Sequence, residues 1–284
     1  MEVAQKTYIC CYWKIYNMKE NFVRGLSGLL YASILVVAIF SSEIAFTTLF
    51  LIFGVICLRE LQRLLHLKSY LGYFLLFAMF FLFSYYRWSP YATLVLLLIT
   101  IFINLFLVKD LMLVNKIPLF EKKKYVIIIF YLISSLIFLT LIPSYTGDFT
   151  PELVVGIFSL IWINDTFAYL VGKNFGEKKL FERISPKKTV EGFLGGLFFT
   201  MIAGYLVHFY TELLELHHWI GIAIIMSIFG TLGDLIQSKF KRQAGVKDSG
   251  RLMPGHGGLF DRLDSIIFAS PFVYAYLQLL NYVS

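Results

Sequence analysis

The run from Gly233 to Asp264, GDLIQSKFKRQAGVKDSGRLMPGHGGLFDRLD, gathers acids, cations and glycines in one short stretch. Asp234 and Ser238 lie four apart, as do Ser238 and Arg242, so the three share one face of a helix. Gly245, Gly250, Pro254, Gly255, Gly257 and Gly258 then interrupt regular structure. Asp261 and Asp264, three apart, share a face where the next helix begins. Two or three such carboxylates suit a hard cation such as Mg²⁺, which takes oxygen ligands and keeps waters while holding substrate phosphates. Lys239, Lys241, Arg242, Lys247, Arg251 and Arg262 offer donors to phosphate oxygens, and the glycines let backbone N–H groups approach an anion. His256 has neither a cysteine nor a second histidine beside it, which argues against zinc. Plainer readings compete: a buried ion pair at Asp234, helix N-terminal charge pairing at Asp261 and Asp264, and a surface turn at Asp248. Ser238 could bond its own helix backbone, and any one lysine, Lys239 and Lys241 above all, could serve topology alone.

A second cluster spans 162–196, WINDTFAYLVGKNFGEKKLFERISPKKTVEGFLGG. Asp165 and Tyr169 share a helical face, and Gly172 and Gly176 are expected to end that helix. Asp165 reads as a metal or ribose contact, against a role in a buried polar network. Pro186 with Thr189 reads as a helix start. Ser185, Lys187 and Lys188 then stand where cations oppose the helix dipole, which points to an anionic ligand. Gly192, Gly195 and Gly196 read equally well as close helix packing. The chain contains no G-x-x-x-x-G-K-[ST] loop, no G-x-G-x-x-G after a strand and no G-x-S-x-G elbow.

Composition says what must position these groups. Hydrophobic residues make up 58% and charged ones only 15%, well away from soluble globular usage. Nine apolar segments can be marked, at 25–40, 45–58, 71–85, 91–108, 125–142, 153–171, 193–208, 219–237 and 264–281. Several are shorter than the roughly 20 residues a spanning helix needs, so their helices are expected to run into polar flanks. With the N-terminus inside, segments 1–24, 59–70, 109–124, 172–192 and 238–263 hold 24 of the 25 lysines and arginines, leaving Arg87 outside. That split follows the positive-inside rule and accounts for the net charge of +7 without nucleic acid. The expected fold is all-α and polytopic, with nine transmembrane helices and a cytoplasmic N-terminus. Residues 1–150 read as a scaffold of spans one to five, and 151–284 as the catalytic half, where Asp165 and Asp234 stand at membrane depth. Cys10, Cys11 and Cys57 have no metal-site or disulfide spacing, and Met18 reads as an alternative start.

Ser238-Lys-Phe-Lys-Arg242, Lys247-Asp248, Pro254-Gly-His-Gly-Gly258 and Asp261-Arg-x-Asp264 together resemble the signature of the phosphatidate cytidylyltransferases, or CDP-diglyceride synthases. Asn164-Asp-Thr-Phe-Ala-Tyr169 and Ile184-Ser-Pro-Lys-Lys-Thr-x-Glu-Gly192 are similar to that family's other shared blocks. The resemblance covers residues 160–265. It implies an inner-membrane enzyme, often a homodimer, that uses CTP, phosphatidate and Mg²⁺ at two metal positions, with its active site facing the cytoplasm. It places the family's acidic metal positions on Asp234 and Asp261, and leaves Asp165, Asp248 and Asp264 to complete the acidic shell. Contacts to CTP and phosphate would fall among Ser185, Lys187, Lys188, Ser238, Lys239, Arg242, Lys247 and His256, with Arg262 beside them. No protein nucleophile is required if the lipid phosphate attacks the α-phosphorus of CTP directly. CTP-dependent polyprenol or phytol kinases are the rival enzymes, and an ion-coupled transporter using Asp165 and Asp234 is the rival outside catalysis.

Overall fold

The computed structural model describes residues 23, 25–114, 116–255 and 257–283. His256 and the expectations about Met18 and residues 1–17 lie outside them. Among the described residues nine apolar helices follow one another: α1 (Gly25–Ser41), α2 (Glu43–Leu64), α3 (Leu71–Tyr85), α4 (Pro90–Leu113) and α5 (Glu121–Ser144), then α6 (Pro151–Phe175), α7 (Val190–Thr211), α8 (Leu216–Gln243) and α9 (Phe260–Val283). Among the described residues seven of these, all but α1 and α3, are long and apolar enough to cross a membrane. The extension into polar flanks is visible at α8, whose last turn reaches Lys241 and Arg242.

Local chemistry fixes the ends. Ser42 caps α2 by accepting a bond from the Ala45 amide, and Pro90 and Pro151 open α4 and α6 where no amide is needed. Thr189 caps α7 through the Gly192 amide. Pro186, read as a helix start, lies instead in a strand: β1 (Lys179–Phe181) and β2 (Ser185–Thr189) form an antiparallel hairpin between α6 and α7. Gly172 does not end α6, which continues to Phe175 before stopping at Gly176. Pro271 sits inside α9 and deprives the Ile267 carbonyl of its helical donor. The Ser270 hydroxyl serves that carbonyl at 3.0 Å and also approaches the Ser135 carbonyl of α5 at 2.8 Å.

In a bilayer, apolar burial drives helices together weakly, so close packing and polar contacts must hold the bundle. The α5 helix is the most enclosed, with Ile127, Tyr131, Leu132, Ile133, Leu136 and Phe138 all fully buried. Its hydrogen bonding widens to a π-helical pattern over Ile127–Ile133, a feature often found at functional sites. The α6, α7 and α8 helices are tied by the buried Asn164 side-chain carbonyl, which accepts bonds from Thr200 at 3.4 Å and from Ser227.

Contacts between helix ends sort the connections into two groups. At one end, the Lys239 ammonium bonds the Asp110 and Val114 carbonyls at 2.6 and 2.7 Å, and Gln243 exchanges two hydrogen bonds with the backbone of Ile117. Arg183 reaches the Val114 carbonyl, and Ser27 reaches that of Pro254. At the other end, Glu43 takes Arg87 and Ser144, and Asn281 reaches the Tyr145 carbonyl. The described basic segments therefore gather at one end of the bundle, opposite Arg87.

Candidate functional site

The α8 helix carries Asp234 into the bundle and Ser238 one turn later. The Ser238 hydroxyl donates to one Asp234 oxygen at 3.1 Å, and the Lys188 ammonium pairs with the other at 2.6 Å. Lys188 comes from β2, so the hairpin delivers a cation to the helix. Burial alone would lower its pKa, but Asp234, with Asp165 and Asp264 behind it, holds the ammonium above the ordinary lysine value. Between the hairpin, α6, α7 and α8 lies a cavity of about 550 Å³, lined by Asp165, Tyr169, Ser185, Lys187, Lys188 and Asp234 among others. The hairpin is fixed over it. The Glu191 carboxylate accepts the Glu177 and Lys178 amides at 3.1 and 3.2 Å, and Gly192 packs so tightly on Gly172 that an added Cβ would lie 3.0 Å from the Gly172 Cα.

The carboxylates divide into two sets. Asp234, Asp165 and Asp264 act on one another electrostatically, with Lys188 and Lys241 as their principal counter-charges. Beside this set the Tyr131 and Tyr31 hydroxyls are buried without a hydrogen-bond partner among the described residues, and both feel the charge of Asp264. Tyr131 is held there by the rings of Phe240, Phe260 and Phe268 and sits in the π-helical stretch of α5. Three hard carboxylates with buried hydroxyls left unpaired fit a cation such as Mg²⁺ and its waters.

Asp261 is differently employed. One oxygen bonds the Lys241 ammonium at 2.8 Å. The other accepts the Ser249 amide at 2.8 Å, the Gly258 amide at 2.9 Å and the Ser249 hydroxyl at 3.0 Å. These bonds fold the glycine-rich turn over the start of α9. Neither Asp261 nor Asp264 lines the cavity, and Lys241, which bonds Asp261, also acts on Asp234 as a counter-charge. Lys239 is also directed elsewhere, because its ammonium is consumed by the carbonyls that end α4. Arg242 is exposed and bonds the Val246 carbonyl at 3.1 Å. Lys247, Asp248 and Arg262 are exposed on or beside the turn, and the charge of Arg262 reaches Asp165.

The residue that sequence reasoning missed is Glu60. It sits near the end of α2, in the half read as scaffold, and is buried. Its carboxylate accepts the Ser249 hydroxyl at 2.7 Å, the Phe260 amide at 2.9 Å and the Leu259 amide at 3.3 Å. Glu60 thus caps α9 and clamps the glycine-rich turn, and a Cβ at Gly250 or Gly258 would run into its oxygens. A carboxylate closing an apolar helix within a basic inner segment was the available signal, but nothing nearby in sequence names its partners. A further cluster, Glu215, His217 and His218, brings three ligand atoms within 4.8 Å of one another at the end of α8 away from Asp234. Its imidazoles make a softer donor set than the carboxylates.

The profile of the cytidylyltransferase family matches residues 22–280. A phosphatidate cytidylyltransferase of Bacillus subtilis (strain 168) is 32% identical over 271 residues, covering 93% of this chain and 99% of that protein. Phosphatidate cytidylyltransferases of Staphylococcus aureus (strain COL) and Staphylococcus haemolyticus (strain JCSC1435) are 50% and 49% identical over 116 residues. Those alignments cover 40% of this chain and 44% of the staphylococcal proteins, so the matched region spans less than half the length of these relatives.

Proposed function

Because the chain belongs to the cytidylyltransferase family, we propose that it converts CTP and phosphatidate into CDP-diacylglycerol and diphosphate. The observation that carries this reading is the cavity between the hairpin and α6–α8, where Lys187, Lys188 and Ser185 face Asp234 and Asp165. In this reading a phosphatidate oxygen forms a bond to the α-phosphorus of CTP, the bridge to the β-phosphorus breaks, and diphosphate carries away the electron pair. Lys187 and Ser185 bind phosphate oxygens, and Lys188 moves its charge from Asp234 toward the nucleotide. Asp234, Asp165 and Asp264 would hold Mg²⁺, which when bound supplies positive charge between two anionic reactants. Ser238 orients Asp234, while Asp261 and Glu60 hold the turn that carries Lys247, Asp248 and Arg262 near the mouth. The family resemblance favours Asp261 over Asp264 as the partner ligand, and the two assignments are separated by the variants described at the end of the Discussion.

The same proposal takes the nine helices as nine spans with the basic end in the cytoplasm of a plasma-membrane enzyme. It also takes 151–284 as the catalytic half, steadied by Glu60 from α2. A homodimer belongs to it as well, and light scattering of the purified protein would check that. The decisive experiment follows exchange of radiolabelled diphosphate into CTP, with and without phosphatidate, and isolates the lipid product. CDP-diacylglycerol with phosphatidate-stimulated exchange supports the reading. Phosphorylation of a polyprenol, or ion flux without lipid product, replaces it.

A further inference from the structure

Away from the cavity above, at the same end of the bundle, a second cavity of about 750 Å³ opens where α2 turns into α3. Arg59, Arg63, His66, Lys68, Tyr70 and Tyr73 line it, and no carboxylate does. Arg59 and Arg63 lie four apart and share one face of the last turns of α2, and His66 follows just past the helix end. The side chains of Arg59, Arg63, His66 and Lys68 have no hydrogen-bond or ion-pair partner among the described residues. The neighbouring carboxylate, Glu60, is spent on the glycine-rich turn. The three cations Arg59, Arg63 and Lys68, held around one concavity, repel one another unless an anion joins them.

The cavity is framed by bonds. The Gln62 amide donates to the Ser69 carbonyl at 2.8 Å, and the Ser69 hydroxyl oxygen accepts from the Tyr125 hydroxyl at 2.9 Å and from the Leu71 amide at 3.2 Å. His66 adopts a φ of 49°, which turns the chain sharply after α2. Thus α2, α3 and α5 all set its shape. From its rim, Leu71, Phe74, Phe77 and Phe81 continue along one exposed stripe of α3, each more than half exposed. Tyr70, 91% exposed, stands where rim and stripe meet. Cations at the rim, an aromatic at the boundary and an apolar track beyond match a phospholipid laid along a helix.

We propose that this cavity binds the phosphate headgroup of an anionic membrane phospholipid, with its acyl chains along the α3 stripe, as a site separate from the Asp234 cavity. The inference rests on the membrane character of the chain and not on the proposed reaction. The probe is photoreactive phosphatidylglycerol, an anionic lipid that lacks the phosphate monoester of phosphatidate, with photoreactive phosphatidylcholine as the neutral control, both in nanodiscs. The site predicts labelling within residues 59–81 that is about thirtyfold stronger for the anionic probe, the scale expected for two arginines. Arg59→Gln with Arg63→Gln should remove that preference, Arg59→Lys with Arg63→Lys should keep it, and Asp234→Asn should not change it. If the double glutamine variant fails to fold, Lys68→Gln alone should still lower the labelling ratio. Equal labelling by the neutral probe, or an unchanged ratio in the arginine variants, overturns the proposal. Displacement of the lipid label by millimolar inorganic phosphate also overturns it, by making the cavity a free-anion site.

Discussion

Asp234 and Lys239 stand five positions apart on one helix and have opposite fates. Asp234 pairs with a lysine from another element at the wall of a cavity, whereas Lys239 is sunk among the carbonyls that end α4. Lys239→Met should therefore lower the melting temperature in detergent while changing the Michaelis constant for CTP less than twofold. Loss of CTP affinity with an unchanged melt would return Lys239 to the nucleotide site. Lys188 gives a second expectation. Its folded pKa is raised, so the stability it contributes is fully present below the unfolded value of about 10.4 and is lost as pH climbs through the higher folded one. Thermal melts of wild type and Lys188→Met should differ across neutral pH and converge only above that range. A difference that vanishes by pH 8 would show the pair to be uncharged or absent. The sequence made Asp234 legible because a carboxylate inside an apolar run is costly without a purpose. Lys239 was opaque because any lysine beside a basic loop looks the same until its partners, at 110 and 114, are known.

The glycine-rich turn between α8 and α9 is held by side chains from α2, α8 and α9, and Glu60 is its anchor from α2. Three donors converge on one buried carboxylate, and bonds to a charged group contribute about 1.5–3 kcal/mol each against their removal. Glu60→Ala should destabilise the fold by about 2 kcal/mol or more and open residues 245–258 to protease. Glu60→Gln, which keeps an acceptor, should do less on both counts. Limited proteolysis and melting of the two variants check this, and an unprotected wild-type turn would contradict it. The breakers in 245–258 announced a turn and Asp261 announced a helix start, so this element was readable locally. Its clamp was not, because Glu60 lies some 190 residues away and sequence spacing carries no trace of that contact. The hairpin escaped for another reason: Pro186 and Thr189 carry helix-start chemistry, and only Thr189 uses it, one residue before α7.

The molecule has two chemically distinct ends, and that asymmetry was written in the distribution of 25 cations before any contact was known. The structure adds that the described basic segments touch one another, through Lys239, Gln243, Arg183 and Glu60. Which end meets the cytoplasm is testable directly. Leu180→Cys and Lys247→Cys should resist an impermeant maleimide in intact cells and react after permeabilisation, while Trp88→Cys should react at once. Ready labelling at 180 and 247 in intact cells would invert the arrangement.

The central claim is that Asp234 anchors the cation on which turnover depends. Its most direct test is the initial rate of CDP-diacylglycerol formation, against Mg²⁺ concentration, for purified wild type, Asp234→Asn, Asp264→Asn and Asp261→Asn of equal melting temperature. Asp234→Asn should lose about 100-fold or more in turnover, the scale of removing a transition-state charge partner. Asp264→Asn should shift the Mg²⁺ requirement upward, and Asp261→Asn should loosen the turn with that requirement unchanged. A shift at Asp261 with none at Asp264 would move the second ligand to Asp261. Near wild-type turnover and unchanged Mg²⁺ dependence in Asp234→Asn would contradict the account.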